Sequence, residues 1–206
     1  METGKIGCII MASGLSARYG RNKLLEKLGG REVILHTAEH LISAGLSPLT
    51  VTRSQEVKAL LDKEGMPCVI HDGARKSDTM HVGLARLETD IAGILFMPGD
   101  QPLVLPESIR RLMERFAEAP ERPVRLGFRG TAGSPVLFPG AFRSDLMAYT
   151  GDRGGIEVLR ERRVSCDIVE AEYEWELWDV DTPDGMAEVL AVFEEQCDKF
   201  DKNCQS

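Results

Sequence analysis

Ile9-Ile10-Met11-Ala12-Ser13-Gly14-Leu15-Ser16-Ala17-Arg18-Tyr19-Gly20-Arg21-Asn22-Lys23 opens on an apolar run and passes directly into small residues, glycines and three cations. A buried strand that ends in such a loop has a known place in open α/β sheets, where ligands collect beyond the carboxyl ends of the strands. Small side chains leave backbone N–H groups free to cradle phosphate oxygens. Arg18 adds a planar fork and Lys23 a point charge, the two cationic shapes that suit a polyphosphate. The loop is neither GxxxxGK[ST] nor GxGxxG. In isolation it reads equally well as a solvated turn.

Outward from this stretch, short β-type runs alternate with helical patterns, which is the sign of βαβ units and a mainly parallel sheet. Strands are expected at Ile6–Met11, Leu49–Arg53, Pro67–Ile70 and Gly93–Met97. Between them, Val33 to Ala44 carries an apolar stripe of helical spacing and ends at Gly45. Val57–Glu64 and Met80–Leu87 read as weaker helices, and Pro106 suits the first turn of another that reaches about Ala117. Beyond Pro120 the pattern loosens into short strands, Pro135–Phe138 being the clearest, before a final helix from Pro183 past Phe193. The 206 residues suit one domain, taken as residues 1–197, with a polar tail over 198–206 that is expected to fray.

Composition narrows the function. With 43% hydrophobic and 28% charged residues the chain can bury a core. A net charge of -8 argues against general nucleic-acid binding, which needs a basic face. Cys8 to Ala12 is too short and badly flanked for a signal peptide or membrane span, so the expected location is the cytoplasm. Five cysteines without a CxxC pair fit reduced thiols.

Two further segments could complete a phosphate site. Gly99-Asp100-Gln101-Pro102 ends the fourth strand at the same sheet edge, and an aspartate there is a natural hard-oxygen ligand for Mg²⁺ held jointly with a triphosphate. Asp179-Val180-Asp181-Thr182-Pro183 puts two carboxylates on opposite faces of an expected short strand that leads into a helix. One of the two can face the metal while the other is structural, and a helix cap is the competing role for either.

In this order and spacing, the pieces resemble the nucleotidyltransferases that attach a nucleotide to molybdopterin. The family's LAAGxSxRMGxxK is matched by Met11 to Lys23, its GDxP by Gly99 to Pro102, and its GxPVLF by Gly133-Ser134-Pro135-Val136-Leu137-Phe138. Its GDxG appears as Gly151 to Gly154 and its DxDTP as Asp179 to Pro183. The resemblance implies a Rossmann-like three-layer α/β/α nucleotidyltransferase fold. It also implies Mg²⁺-dependent transfer from CTP to the terminal phosphate of the molybdopterin cofactor, and transient contact with a molybdenum enzyme. The opening Ala12-Ser13-Gly14, in place of the AGG of guanylyl enzymes, and Lys23-Leu24-Leu25 favour the cytidylyl branch.

In that scheme Ala12, Ser13, Gly14, Ser16, Arg18 and Lys23 grip the triphosphate, and Ser77 and Thr79 lie near the base. Asp100 and Asp181 hold Mg²⁺, while Gly133, Ser134 and Asp152 lie toward the acceptor. Arg18, Lys23 and Asp100 carry the catalysis. Arg75, Ser134 and Gly155-Ile156 depart from the family's usual residues, which bears on the acceptor more than on the nucleotide; another phosphorylated acceptor, or separately GTP as donor, is the first alternative. A non-catalytic cofactor carrier is the second. His36-Thr37-Ala38-Glu39-His40 spells HxxEH, yet the stripe through Ile34, Ala38 and Leu41 leaves both histidines on its flank, with no further acidic ligand evident. Trp175 and Trp178 read as packing residues.

Overall fold

The computed structural model describes residues 4–14 and 19–203. Nine strands and seven α-helices are placed among them: β1 (Ile6–Ala12), β2 (Lys27–Leu28), β3 (Arg31–Glu32), α1 (Val33–Ser43), β4 (Pro48–Thr52), α2 (Gln55–Lys63), β5 (Cys68–Ile70), α3 (Lys76–Leu84), β6 (Gly93–Pro98), α4 (Pro106–Glu118), β7 (Val124–Phe128), β8 (Thr131–Pro139), α5 (Arg143–Ala148), α6 (Ile156–Glu161), β9 (Asp167–Glu170) and α7 (Pro183–Asn203). Seven strands form one sheet in the order β5-β4-β1-β6-β8-β7-β9, and β2 and β3 form a separate ribbon. In the main sheet β8 alone runs against its neighbours.

Why β1 sits inside the sheet, between β4 and β6, follows from its side chains. Cys8, Ile10 and Ala12 join the core on the side of α1 and α4, whereas Ile9 joins the core on the side of α3 and α5. A strand buried on both faces must be apolar at consecutive positions, as this one is. Ile9 and Ile10 are both fully buried, and each gains roughly 1.5–3 kcal/mol by leaving water. Helices thus cover both faces of a mainly parallel sheet, the three-layer α/β/α arrangement expected.

The four strands expected in the first half lie within about a residue of their positions. Two helices start earlier than their apolar spacing suggested, because polar caps decide where a helix begins. The Ser54 hydroxyl accepts the Val57 N–H at 3.2 Å and starts α2 at Gln55. Asp78 accepts the Arg75 N–H at 2.9 Å and starts α3 at Lys76. Strands β7 and β9 fall in the region beyond Pro120 where short strands were expected without bounds, and β8 extends Pro135–Phe138 to nine residues. The final helix continues to Asn203, past the expected boundary at 197.

The carboxyl ends of β1, β4, β5 and β6 open onto one edge of the sheet. Because β8 runs the other way, its beginning, with Gly133 and Ser134, meets the same edge.

Candidate active site

Lys23 stands in a short 3₁₀ turn whose start is fixed by the Asn22 side chain, which accepts the Leu24 N–H at 3.2 Å. Its side chain is 9% exposed, and its ammonium donates to Asp100 at 2.5 Å and to Asp181 at 2.6 Å. Burial alone would lower the Lys23 pKa; the Asp100 charge and the bonds to both aspartates more than reverse this, and the ammonium ends above its ordinary value. Residues far apart in sequence thus converge on one nitrogen.

The backbone explains the convergence. Gly99 N–H donates to Met11 O at 3.1 Å, which ties the end of β6 to the end of β1. A Cβ at Gly99 would lie 3.0 Å from Ile34 Cδ1, so this close approach favours glycine. Val180 N–H donates to Asp100 O at 2.9 Å and staples the 179–181 segment beside Asp100. Of the two carboxylates left open by the sequence, Asp181 reaches Lys23, while Asp179 accepts a hydrogen bond from Gln101. Crowding by protein, then the charges of Asp100 and Asp181, push the Asp179 carboxyl up to about 6. Glu176 is fully buried and accepts Glu172 N–H at 2.8 Å, Tyr173 N–H at 3.2 Å and Leu105 N–H at 3.2 Å, so it locks the approach to this segment onto the start of α4.

Beside these charges lies a cavity of about 480 Å³. Of the residues singled out from sequence, Ser13, Gly14, Thr79, Asp100, Ser134 and Asp152 line it. Ala12 is buried at the end of β1, where its carbonyl accepts the Thr52 hydroxyl at 2.9 Å. Gly133 presents its carbonyl to Arg125, and Asp152 accepts the Lys76 N–H at 3.3 Å. Ser77 is fully buried, and it exchanges two hydrogen bonds with Gly151, at 3.0 and 3.1 Å, which hold that loop against α3. Ser16 and Arg18 lie outside the described residues.

Several residues at the site were not singled out from sequence. His71, just after β5, accepts the Gly73 N–H on Nδ1 at 3.1 Å, so Nε2 carries the proton. Nε2 lies 2.8 Å from the Ser13 hydroxyl and 3.1 Å from that of Thr79, and Ser13 in turn donates to Val51 O at 3.2 Å. This chain of bonds orients the start of the loop, and the strand-end reasoning applied to β1 and β6 would have found it. Arg53, Arg75, Lys76, Arg125 and Arg153 also line the cavity, against the carboxylates of Asp100 and Asp152 among the described residues. In a chain of net charge -8, so many cations around one cavity favour an anionic ligand.

Residues 8–166 match the MobA-like NTP transferase domain. The chain belongs to the MobA-like NTP transferase family. Among relatives of this MobA-like chain, a probable molybdenum cofactor guanylyltransferase of Thermococcus sibiricus is 29% identical over 116 residues, 54% of this chain and 56% of that protein. The chain therefore spans about half the length of that relative. The purine catabolism protein PucB of Bacillus subtilis is 26% identical over 85% of this chain and 91% of its own length. In fold, a nucleotidyl transferase from Methanothermobacter thermautotroptrophicus superposes with a TM-score of 0.80 at 24% identity, covering 93% of this chain and 99% of that one.

The HxxEH segment of this MobA-like chain is structural. His36 Nε2 is bonded to Leu28 O at 2.8 Å, and His40 Nδ1 to Val104 O at 2.9 Å. Burial lowers the His40 pKa, partly offset by the Val104 bond and pushed further down by His36, with Glu39 opposing. A histidine whose folded pKa is depressed contributes stability that is present above its unfolded pKa of about 6.5 and lost as pH falls through the folded value. His40→Gln is therefore expected to flatten the decline of stability below about pH 6.5, checked by urea midpoints across that range. An unchanged acid limb would show that other groups control it.

Proposed function

We propose that this chain transfers a nucleotidyl group from a nucleoside triphosphate, CTP by the reading of its loop, to the terminal phosphate of the molybdopterin cofactor, with release of pyrophosphate. The observation that carries the proposal is the convergence of Asp100 and Asp181 on the Lys23 ammonium beside a cation-rich cavity. In the reaction a phosphate oxygen of the acceptor bonds to the α-phosphorus as the bond to the β-phosphate breaks, and the electron pair leaves with pyrophosphate. Both partners are anions, so positioning and charge neutralisation dominate the barrier. No general base is required, because a phosphate monoester is already ionised at neutral pH.

Lys23 neutralises charge on the triphosphate, with Arg18 as its expected companion from the loop. His71 holds Ser13, and through it the first turn of the loop, in one orientation. The donor set suits Mg²⁺. Two hard carboxylates, Asp100 and Asp181, face one cation, and among the described residues no group of three or more His, Cys, Asp or Glu could hold a metal alone. Mg²⁺ favours one or two carboxylates together with substrate phosphates. Bound there it would act as a Lewis acid toward the α-phosphate.

GTP is the second reading for the donor, favoured by relatives named molybdenum cofactor guanylyltransferase. Thermal stabilisation by CTP, GTP, ATP and UTP with Mg²⁺ separates the two, since a ligand selective for the folded state raises its stability with the logarithm of saturation. The largest shift is expected with CTP, accompanied by metal-dependent pyrophosphate release in the presence of the pterin acceptor. A larger shift with GTP would reverse the base assignment. Nucleotide binding without turnover would favour a carrier, and the absence of both would overturn the transferase reading.

A further inference from the structure

Among the described residues, four cations of the cavity wall, Arg53, Arg75, Lys76 and Arg125, form no ion pair, and of these Arg125 alone is carried by a strand of the main sheet. Arg125 projects from β7 on the sheet face it shares with its register partner Val136, whose own neighbours in the core are Phe96 and Phe138. It is half-buried, and its Nε and Nη2 both donate to Gly133 O, at 2.8 and 2.5 Å. That acceptor is a neutral carbonyl. Among the described residues Arg125 forms no ion pair, unlike Arg31 with Glu39 and Glu64, Arg115 with Asp167, or Arg162 with Asp145.

A guanidinium stays charged at neutral pH even when burial disfavours it, and taking that charge out of water without a counter-ion is costly. The Gly133 carbonyl fixes two of its nitrogens, and no hydrogen bond to the described residues engages Nη1. The residue nonetheless lines the cavity beside Ser134, above an apolar floor of Phe96, Val136 and Phe138. A fixed fork, a hydroxyl and an apolar floor together fit an oxyanion joined to a carbon ring or chain.

We propose that Arg125 binds the phosphate monoester of the acceptor, with the apolar floor taking the carbon body to which that phosphate is attached. The assignment rests on the transferase reading and gives it a residue for the second substrate. It divides the work by charge: Lys23 with its aspartates holds the donor, and Arg125 offsets the acceptor's charge so that two anions can be brought together.

Phenyl phosphate, a phosphate monoester on a ring, probes the subsite without nucleotide or turnover. Calorimetric titration at low salt is expected to show binding to the parent chain. The affinity should fall by about tenfold or more in Arg125→Met, with partial recovery in Arg125→Lys, which keeps the charge but not the fork. Affinity for CTP and GTP with Mg²⁺ should stay within about twofold in both variants, and circular dichroism should show an intact fold. Parent-like phenyl phosphate affinity in the methionine variant would overturn the proposal. So would failure of the parent to bind it, or a loss of nucleotide affinity that parallels the loss of phenyl phosphate. Because the nucleotide and pyrophosphate measurements stand apart, failure of the transferase reading and failure of this subsite give different results.

Discussion

Lys23→Ala and Asp100→Ala are each expected to reduce pyrophosphate release by about a thousandfold or more, the scale seen when a preorganised charge at a reacting centre is removed. The two losses differ in kind. Without Lys23, the Asp100 and Asp181 carboxylates face each other without the ammonium that now lies between them. Repulsion then raises their affinity for protons or for a divalent ion. Without Asp100, Lys23 keeps Asp181, so its charge persists while the pairing of hard ligands is lost. Single-turnover rates with excess Mg²⁺ and donor nucleotide, together with thermal midpoints, separate the chemical loss from misfolding. Near-parental turnover in either folded variant would sink the mechanism.

Glu176→Ala is expected to lower stability by about 3 kcal/mol or more. The carboxylate is fully buried and accepts three backbone N–H groups, so truncation leaves three donors without partners, each costing about 1–3 kcal/mol before relaxation or entering water offsets part of the loss. Glu176→Gln retains an acceptor oxygen and should lose less. Urea unfolding checks the order of the two. A loss under about 1 kcal/mol in the alanine variant would mean that the 172–176 turn is held by its other contacts.

What the sequence disclosed follows from what local chemistry can encode. The strand ends at Ala12 and Pro98 were legible because both faces of β1 and β6 are buried, which forces consecutive apolar residues. Asp100 could be singled out because it stands just beyond such an end, and Lys23 because it closes the loop that leaves the other. Arg125 was not, because a charge inside a strand ordinarily reads as a solvent-facing position, and only the β8 register shows it over an apolar floor. Glu176 was hidden in an acidic, aromatic segment, where nothing local distinguishes a buried carboxylate from a solvated one. The choice between Asp179 and Asp181 likewise required the Val180–Asp100 bond, a contact between segments eighty positions apart.

That bond also sets an order of events. During synthesis Lys23 and Asp100 leave the ribosome well before residue 181, and Asp181 is secured only when the segment after β9 lies along the Asp100 backbone. A nascent chain that has folded through β8 would therefore carry the loop and one carboxylate but lack the second. On the mechanism proposed, competence for chemistry arrives with the last crossing of the chain, and a partly made molecule would have little means of consuming nucleotide.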